Sequence, residues 1–251
     1  VYLDHLFQIL GPFQLTLGSI GLIITVFATI AIINAFNMID GIDGLLGGLS
    51  IVSFAAIGIL MFRDGQMDMA YWSFGLIVAI LPYLLLNLGI PFGPKYKVFM
   101  GDAGSLTLGY ILSFLVLHFW QKTQLWDPFT MNLNMVTVST LLIPLLDVVR
   151  VFYSRVSEGR NPFTPDKNHI HHRLLRTGMK VRTVMITLLM LSLFFVVSNF
   201  ILSFYINTTF MLLLDLAFWL TTHFIIRYFN SSTAKHIDYV LGFFQIFVTF
   251  E

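Results

Sequence analysis

Long apolar runs separated by short polar or glycine-bearing stretches set the pattern of this chain. Nearly charge-free runs extend from Thr16 to Ile33, Leu46 to Phe62, Met69 to Leu88, Ala103 to Trp120, Met135 to Phe152, Thr183 to Tyr205 and Thr209 to Phe229. Each is close to the roughly 20 residues that a helix needs to cross the hydrocarbon core of a bilayer. None alternates apolar and polar residues as a barrel strand does, and in lipid only helices and closed barrels satisfy every backbone group. The pattern predicts an all-α, polytopic membrane bundle with about seven transmembrane helices. The apolar tail from His236 to Glu251 is short for a further span and is expected to lie at the interface or pack loosely.

Composition sharpens this reading. Of 251 residues, 57% are hydrophobic and 11% charged, against roughly a quarter charged in an ordinary soluble domain, which excludes a water-soluble protein. A net charge of +1 argues against general polyanion binding, so no nucleic-acid partner is expected. The absence of Cys excludes disulfides, thiolate metal sites and a thiol nucleophile. With loops on alternating sides, Arg63 and Lys122 fall on one face and the other Lys and Arg residues, from Lys95 to Lys235, on the opposite one. By the positive-inside rule that second face is cytoplasmic, with Val1 outside and Glu251 inside. The start at Val1, without a basic leader and small-residue cleavage site, leads to the expectation of a fragment or processed chain. No repeat, linker or low-complexity tract divides the sequence, so 1–251 reads as one transmembrane domain with cytoplasmic loops at about 34–45, 89–104 and 153–182.

Three of these stretches carry chemistry. In the first, Asn34, Asn37, Asp40 and Asp43 recur every third residue, with Gly41 and Gly44 able to loosen the helix between them. Carboxylate and amide oxygens suit Mg²⁺ or Mn²⁺, which keep few protein ligands and fill the remaining positions with water and phosphate oxygens. The alternative is a polar helix cap with solvated acids. In the second, Lys95 and Lys97 precede Gly101, Asp102, Gly104 and Ser105. A helix starting there aims its N–H groups at an anion while Asp102 holds a metal, or Asp102 simply caps the helix.

The third, from Arg155 to Arg182, holds seven of the fourteen basic residues, Pro162 and Pro165, and the cluster His169, His171, His172 followed by Arg173. Such a loop can be a topogenic or headgroup-binding segment. Its histidines beside Arg173 and Arg176 suit a nucleotide or pyrophosphate better, with zinc as a less favoured ligand. Asp147 can face the same site or pair with Arg150. Asp215 and His223, inside the last span, read as helix-to-helix hydrogen-bonding groups. Acids, amides and bases thus gather on one membrane face, as a site for anionic, metal-bound substrates requires: a phosphate-headed lipid and a soluble nucleotide.

The wording NAFNMIDGIDGL at Asn34 to Leu45, KVFMGDAGS at Lys97 to Ser105 and PFTPDKNHIHHRLL at Pro162 to Leu175 resembles the polyprenyl-phosphate N-acetylhexosamine-1-phosphate transferase family. The HIHH form is most similar to the bacterial branch that begins O-antigen and enterobacterial common antigen synthesis, whereas the muramoyl-pentapeptide branch tends to carry three adjacent His. The resemblance implies transfer of GlcNAc-1-phosphate from UDP-GlcNAc to undecaprenyl phosphate, with release of UMP, at the cytoplasmic face of the bacterial inner membrane. It implies Mg²⁺ or Mn²⁺ as cofactor. By position it makes Asn37 and Asp102 metal ligands or neighbours of the metal, and Asp40 and Asp43 organisers of the site and nucleotide. His169, His171 and His172 would contact the sugar pyrophosphate, with Asp40, Asp43, Asp102, His171 and His172 the catalytic set. Asn34, Asn37, Lys97, Gly104, His169 and Arg173 complete the substrate-binding set.

The chain departs from the family in one respect: the Asp-rich DDxxD segment associated with activating the lipid phosphate is absent from this sequence. Together with the lower span count, this leads to the expectation that an N-terminal third is missing and that the 251-residue chain alone is inactive. Metal-dependent UMP release by the purified chain would overturn it. Alternatives are a relative using UDP-GalNAc or UDP-MurNAc-pentapeptide, and a transporter or lipid-headgroup receptor, for which paired broken helices near the midplane are expected. The bilayer is a partner on any reading, and the sequence leaves the oligomeric state open.

Overall fold

The computed structural model describes residues 5–6, 15–16, 18–122, 128–161 and 168–248, with side chains over 18–121, 132–161 and 168–229. Apart from a two-residue antiparallel ladder between β1 (His5–Leu6) and β2 (Leu15–Thr16), the described chain is helical. The helices are α1 (Ser19–Ile39), α2 (Leu45–Arg63), α3 (Met67–Asn87), α4 (Gly101–Lys122), α5 (Pro128–Ser139), α6 (Leu142–Ser157), α7 (Ile170–Arg176), α8 (Val181–Leu202) and α9 (Thr208–Val248). Among the described residues six helices are long and apolar enough to cross a membrane, or up to seven if α5 and α6 together form one span. The chain is a multi-pass membrane protein.

The expected spans are present with shifted ends, and the fifth needs correction. Met135 to Phe152 is not one straight helix, because Asn132–Ser139 and Leu142–Ser157 meet at 68°. A break in lipid exposes main-chain groups that must find partners. Here Ser53 Oγ of α2 donates to the carbonyl of Thr140, 3.3 Å away. The first span starts at Ser19 rather than Thr16, which lies in β2, and runs on to Ile39, so Asn34 and Asn37 are helical. The tail expected at the interface continues α9 to Val248, and its side chains lie outside those described.

Close approaches fix the register of the bundle. A Cβ on Gly109 of α4 would meet Ile33 Cα of α1 at 2.8 Å, so only glycine lets these antiparallel helices touch there. One turn further toward the motif end, Asn37 faces Ser105. Gly44 (φ +81°) turns the chain between α1 and α2 in the left-handed region, and a side chain there would meet Met185 of α8. Gly48, one turn on, packs against Leu189, so α2 and α8 run parallel. Phe36, Phe54, Phe119 and Phe195 are fully buried where the helices meet. Phe27, Trp72 and Phe224 point outward, as lipid-facing residues do.

Candidate functional site

All three polar stretches meet at one end of the bundle. From α1, Asn37 Nδ2 donates to Asp102 Oδ1 at 3.2 Å and to Ser105 Oγ at 2.9 Å, both on the first turns of α4. Ser105 Oγ in turn donates to the Asp102 carbonyl at 3.1 Å. Asp102 thus lies inside the helix start, beside Asn37. From the turn after α1, Asp43 forms an ion pair with Lys97. Asn87, at the end of α3, accepts the Gly44 N–H at 2.5 Å and donates to the Val98 carbonyl at 2.8 Å. It ties the first polar stretch to the second. Asp40, Gly41, Ile42, Asp43, Tyr83, Asn87, Phe99 and Met100 line a pocket of about 120 Å³.

The histidine motif closes this site from another side. His171 is 1% exposed, and its imidazole lies against Gly41, where an added Cβ would fall 2.1 Å from Nε2. Neither of its ring nitrogens has a hydrogen-bond partner among the described residues. The His172 ring is 4.2 Å from it and the His169 ring stacks at 5.9 Å. His169 Nδ1 is 2.9 Å from Asp147 Oδ2 on α6. Residues 162–167, which include Pro162, Pro165 and Asp166 of the motif, lie outside the described residues.

Electrostatics mark the carboxylates as a place for positive charge. Burial, then the charges of Asp102 and Asp43, raises the Asp40 carboxyl above its ordinary value. A cation would relieve the repulsion that Asp40, at the end of α1, feels from Asp102 and Asp43. Among the described residues no three His or acid groups cluster closely enough to hold a metal alone. Burial, and next the charge of His172, holds His171 down at about 4, so it is neutral in the physiological range. Burial, and next the charge of Arg150, lowers Arg173 to about 10, and it remains a cation.

Some placements differ from the sequence expectation. Asn34 is exposed and its amide donates to Ile30 O of its own helix at 2.8 Å, apart from the other polar groups. Gly104 is helical in α4, packed beside Met100. Asp147 takes both of its alternatives, bonding Arg150 and His169. Asp215 pairs with Asn199, which donates to both carboxylate oxygens at 3.0 Å, as expected of an internal helix contact. His223 also bonds across helices, and its partner, Arg173 of α7, belongs to the third motif. Sequence reasoning missed Asn87 and Tyr83, and gave Ser105 no role of its own. The available signal for Asn87 was its place as a lone amide ending an apolar run on the motif side.

Residues 1–119 match the model of glycosyl transferase family 4. An undecaprenyl-phosphate alpha-N-acetylglucosaminyl 1-phosphate transferase of Haemophilus influenzae is 66% identical over 183 residues, which is 72% of this chain and 50% of that protein. The protein of the same name from Pasteurella multocida is 56% identical over 183 residues, with the same coverage of both chains. That from Escherichia coli is 44% identical over 191 residues, 75% of this chain and 50% of the relative. The chain spans about half the length of the curated relatives it matches. By sequence the chain is similar to glycosyl transferase family 4 over residues 1–119.

Proposed function

We propose that the protein containing this chain transfers GlcNAc-1-phosphate from UDP-GlcNAc to undecaprenyl phosphate and releases UMP. In this reading it acts at the cytoplasmic face of the bacterial inner membrane, as the first membrane step of O-antigen and enterobacterial common antigen synthesis. The observation that carries the proposal is the meeting of three sequence-distant motifs at one bundle end, through Asn37 with Asp102, Asp43 with Lys97, and His171 with Gly41. The basic residues gathered at that end are what the positive-inside rule expects of a cytoplasmic face.

In the transfer a lipid phosphate oxygen bonds to the sugar-bearing phosphorus, the pyrophosphate bridge breaks, and its oxygen leaves on UMP. Two anions must approach within bonding distance, so their repulsion is the barrier that the site has to lower. Asn37 and Asp102 are the residues that would hold Mg²⁺ or Mn²⁺, whose chemistry is charge neutralisation of the pyrophosphate and of the leaving UMP. Asp40 and Asp43 bound a pocket of about 120 Å³, room for one ring rather than a whole nucleotide sugar. Phe99 and Tyr83 offer that pocket aromatic surface for the base. Lys97, His172 and Arg173 supply donors and positive charge to phosphate oxygens, His169 presents Nε2 as an acceptor for a hydroxyl of the sugar, and neutral His171 can donate or accept a proton in a hydrogen bond.

The test is transfer of labelled GlcNAc-1-phosphate from UDP-GlcNAc to undecaprenyl phosphate, with and without Mg²⁺, in membranes expressing the whole native protein. Metal-dependent labelled lipid with equimolar UMP is the expected result. No labelled lipid from a well-inserted protein sinks the donor assignment, and UDP-GalNAc and UDP-MurNAc-pentapeptide are then the donors to try. A transporter reading draws on the break between α5 and α6 but lacks a paired broken helix among the described residues.

A further inference from the structure

With seven residues, α7 is too short to hold helical shape by itself, and its start is fixed from α6. Asp147 is 0% exposed, and its carboxylate receives three groups. His169 Nδ1 lies 2.9 Å from Oδ2, the Ile170 N–H donates to Oδ1 at 3.0 Å, and Arg150 Nη2 donates to Oδ1 at 2.8 Å. Arg150 also donates to the main-chain carbonyl of Asn168. One acid and one guanidinium on α6 therefore hold Asn168, His169 and Ile170 in succession, immediately before His171 takes its seat against Gly41.

This arrangement does more than start a helix. The bond to Ile170 N–H suffices for capping, yet the second oxygen is spent on the His169 ring. A carboxylate only accepts, so Nδ1 carries the hydrogen and Nε2 is the nitrogen left for a ligand. A buried ionised acid is tolerated only when fully bonded, and every bond to Asp147 comes from a group that leads to the histidine motif or from Arg150, which holds the residue before it.

We propose that Asp147 is a positioning residue for the transfer, acting through His169 by fixing the orientation and tautomer with which that ring meets the sugar-pyrophosphate donor. The inference rests on the transfer reading given above. Its test compares Asp147→Asn, His169→Ala and the double variant in the whole native protein. Size-exclusion profiles give the folded amount, and the KM for UDP-GlcNAc, the KM for undecaprenyl phosphate and kcat are measured separately.

Asp147→Asn is expected to raise the donor KM about tenfold, the loss of one charged hydrogen bond, and to leave the lipid KM unchanged. In the His169→Ala background it should add little, since the ring it holds is gone. A fall in kcat with both KM values unchanged overturns the proposal, as does a donor effect that multiplies fully with that of His169→Ala. If Asp147→Asn does not accumulate folded, Arg150→Gln should raise the donor KM about threefold by loosening the same tether, and an unchanged KM overturns the inference. If UDP-GlcNAc fails and another UDP-sugar serves, the same constants are read with that donor. A wild type inert with every donor overturns the transfer reading and this inference together, whereas an active wild type with the wrong variant pattern overturns this inference alone.

Discussion

The imidazole of His171 occupies the space that any side chain at Gly41 would need, since a methyl group there would fall 2.1 Å from Nε2. One residue from the first polar stretch and one from the third are therefore a matched pair. Gly41→Ala should push His171 out of its seat and lower UMP release at least about tenfold, with a smaller loss of thermal stability. Wild-type turnover in that variant would show that the seat of His171 does not bear on transfer.

Asn87 bridges two segments that are otherwise joined by the Asp43 and Lys97 ion pair. Asn87→Ala leaves the Gly44 N–H and the Val98 carbonyl without this partner, at about 1–3 kcal/mol for each that stays buried and unsatisfied. Lower thermal stability together with a raised donor KM is expected, measured by unfolding in detergent and by steady-state kinetics. A stability loss without any change in KM would make Asn87 a purely architectural amide.

Asp102 brings a full negative charge beside Asn37. Asp102→Asn keeps the shape and removes the charge. In the whole native protein, turnover should fall and the Mg²⁺ concentration for half-maximal transfer should rise on the order of tenfold. A Mg²⁺ titration curve that does not move counts against Asp102 as a metal ligand.

His171 has a pH signature in stability. Burial, with the charge of His172 next, holds its pKa at about 4, below the ordinary value of 6.5. The unfolded chain accordingly takes up a proton that the folded chain refuses. This contribution to stability is present above pH 6.5 and is lost as pH falls from there toward 4. Thermal unfolding should come at lower temperature near pH 5 than near pH 7.5, and His171→Gln should narrow that gap. A gap of the same size in the variant would assign the effect to other groups.

The bundle was legible because lipid leaves few choices: a charge-free run of about 20 residues has to be a helix, and six of the predicted runs are single helices in the structure. The break at Thr140 was missed although its signal lies in the sequence: Pro144, four residues on, has no N–H to offer the Thr140 carbonyl, which the Ser53 hydroxyl of another helix takes instead. The candidate site was legible where polar side chains stand out beside apolar runs, as at Asn37 and Asp102, which the fold brings within hydrogen-bond distance. It was hidden where a residue acts through contacts distant in sequence. The contact of Arg173 with His223 joins residues of α7 and α9, and spacing along one helix cannot reveal it.

The 68° bend between α5 and α6 also decides how the protein can tolerate changes of length. Along a straight helix, one inserted or deleted residue rotates everything beyond it by about 100°. Across a break whose Thr140 carbonyl is held by Ser53, the two segments need not share a rotational phase. Residues can be added to or taken from α5, to match a thicker or thinner bilayer, without turning Asp147 on α6 away from His169.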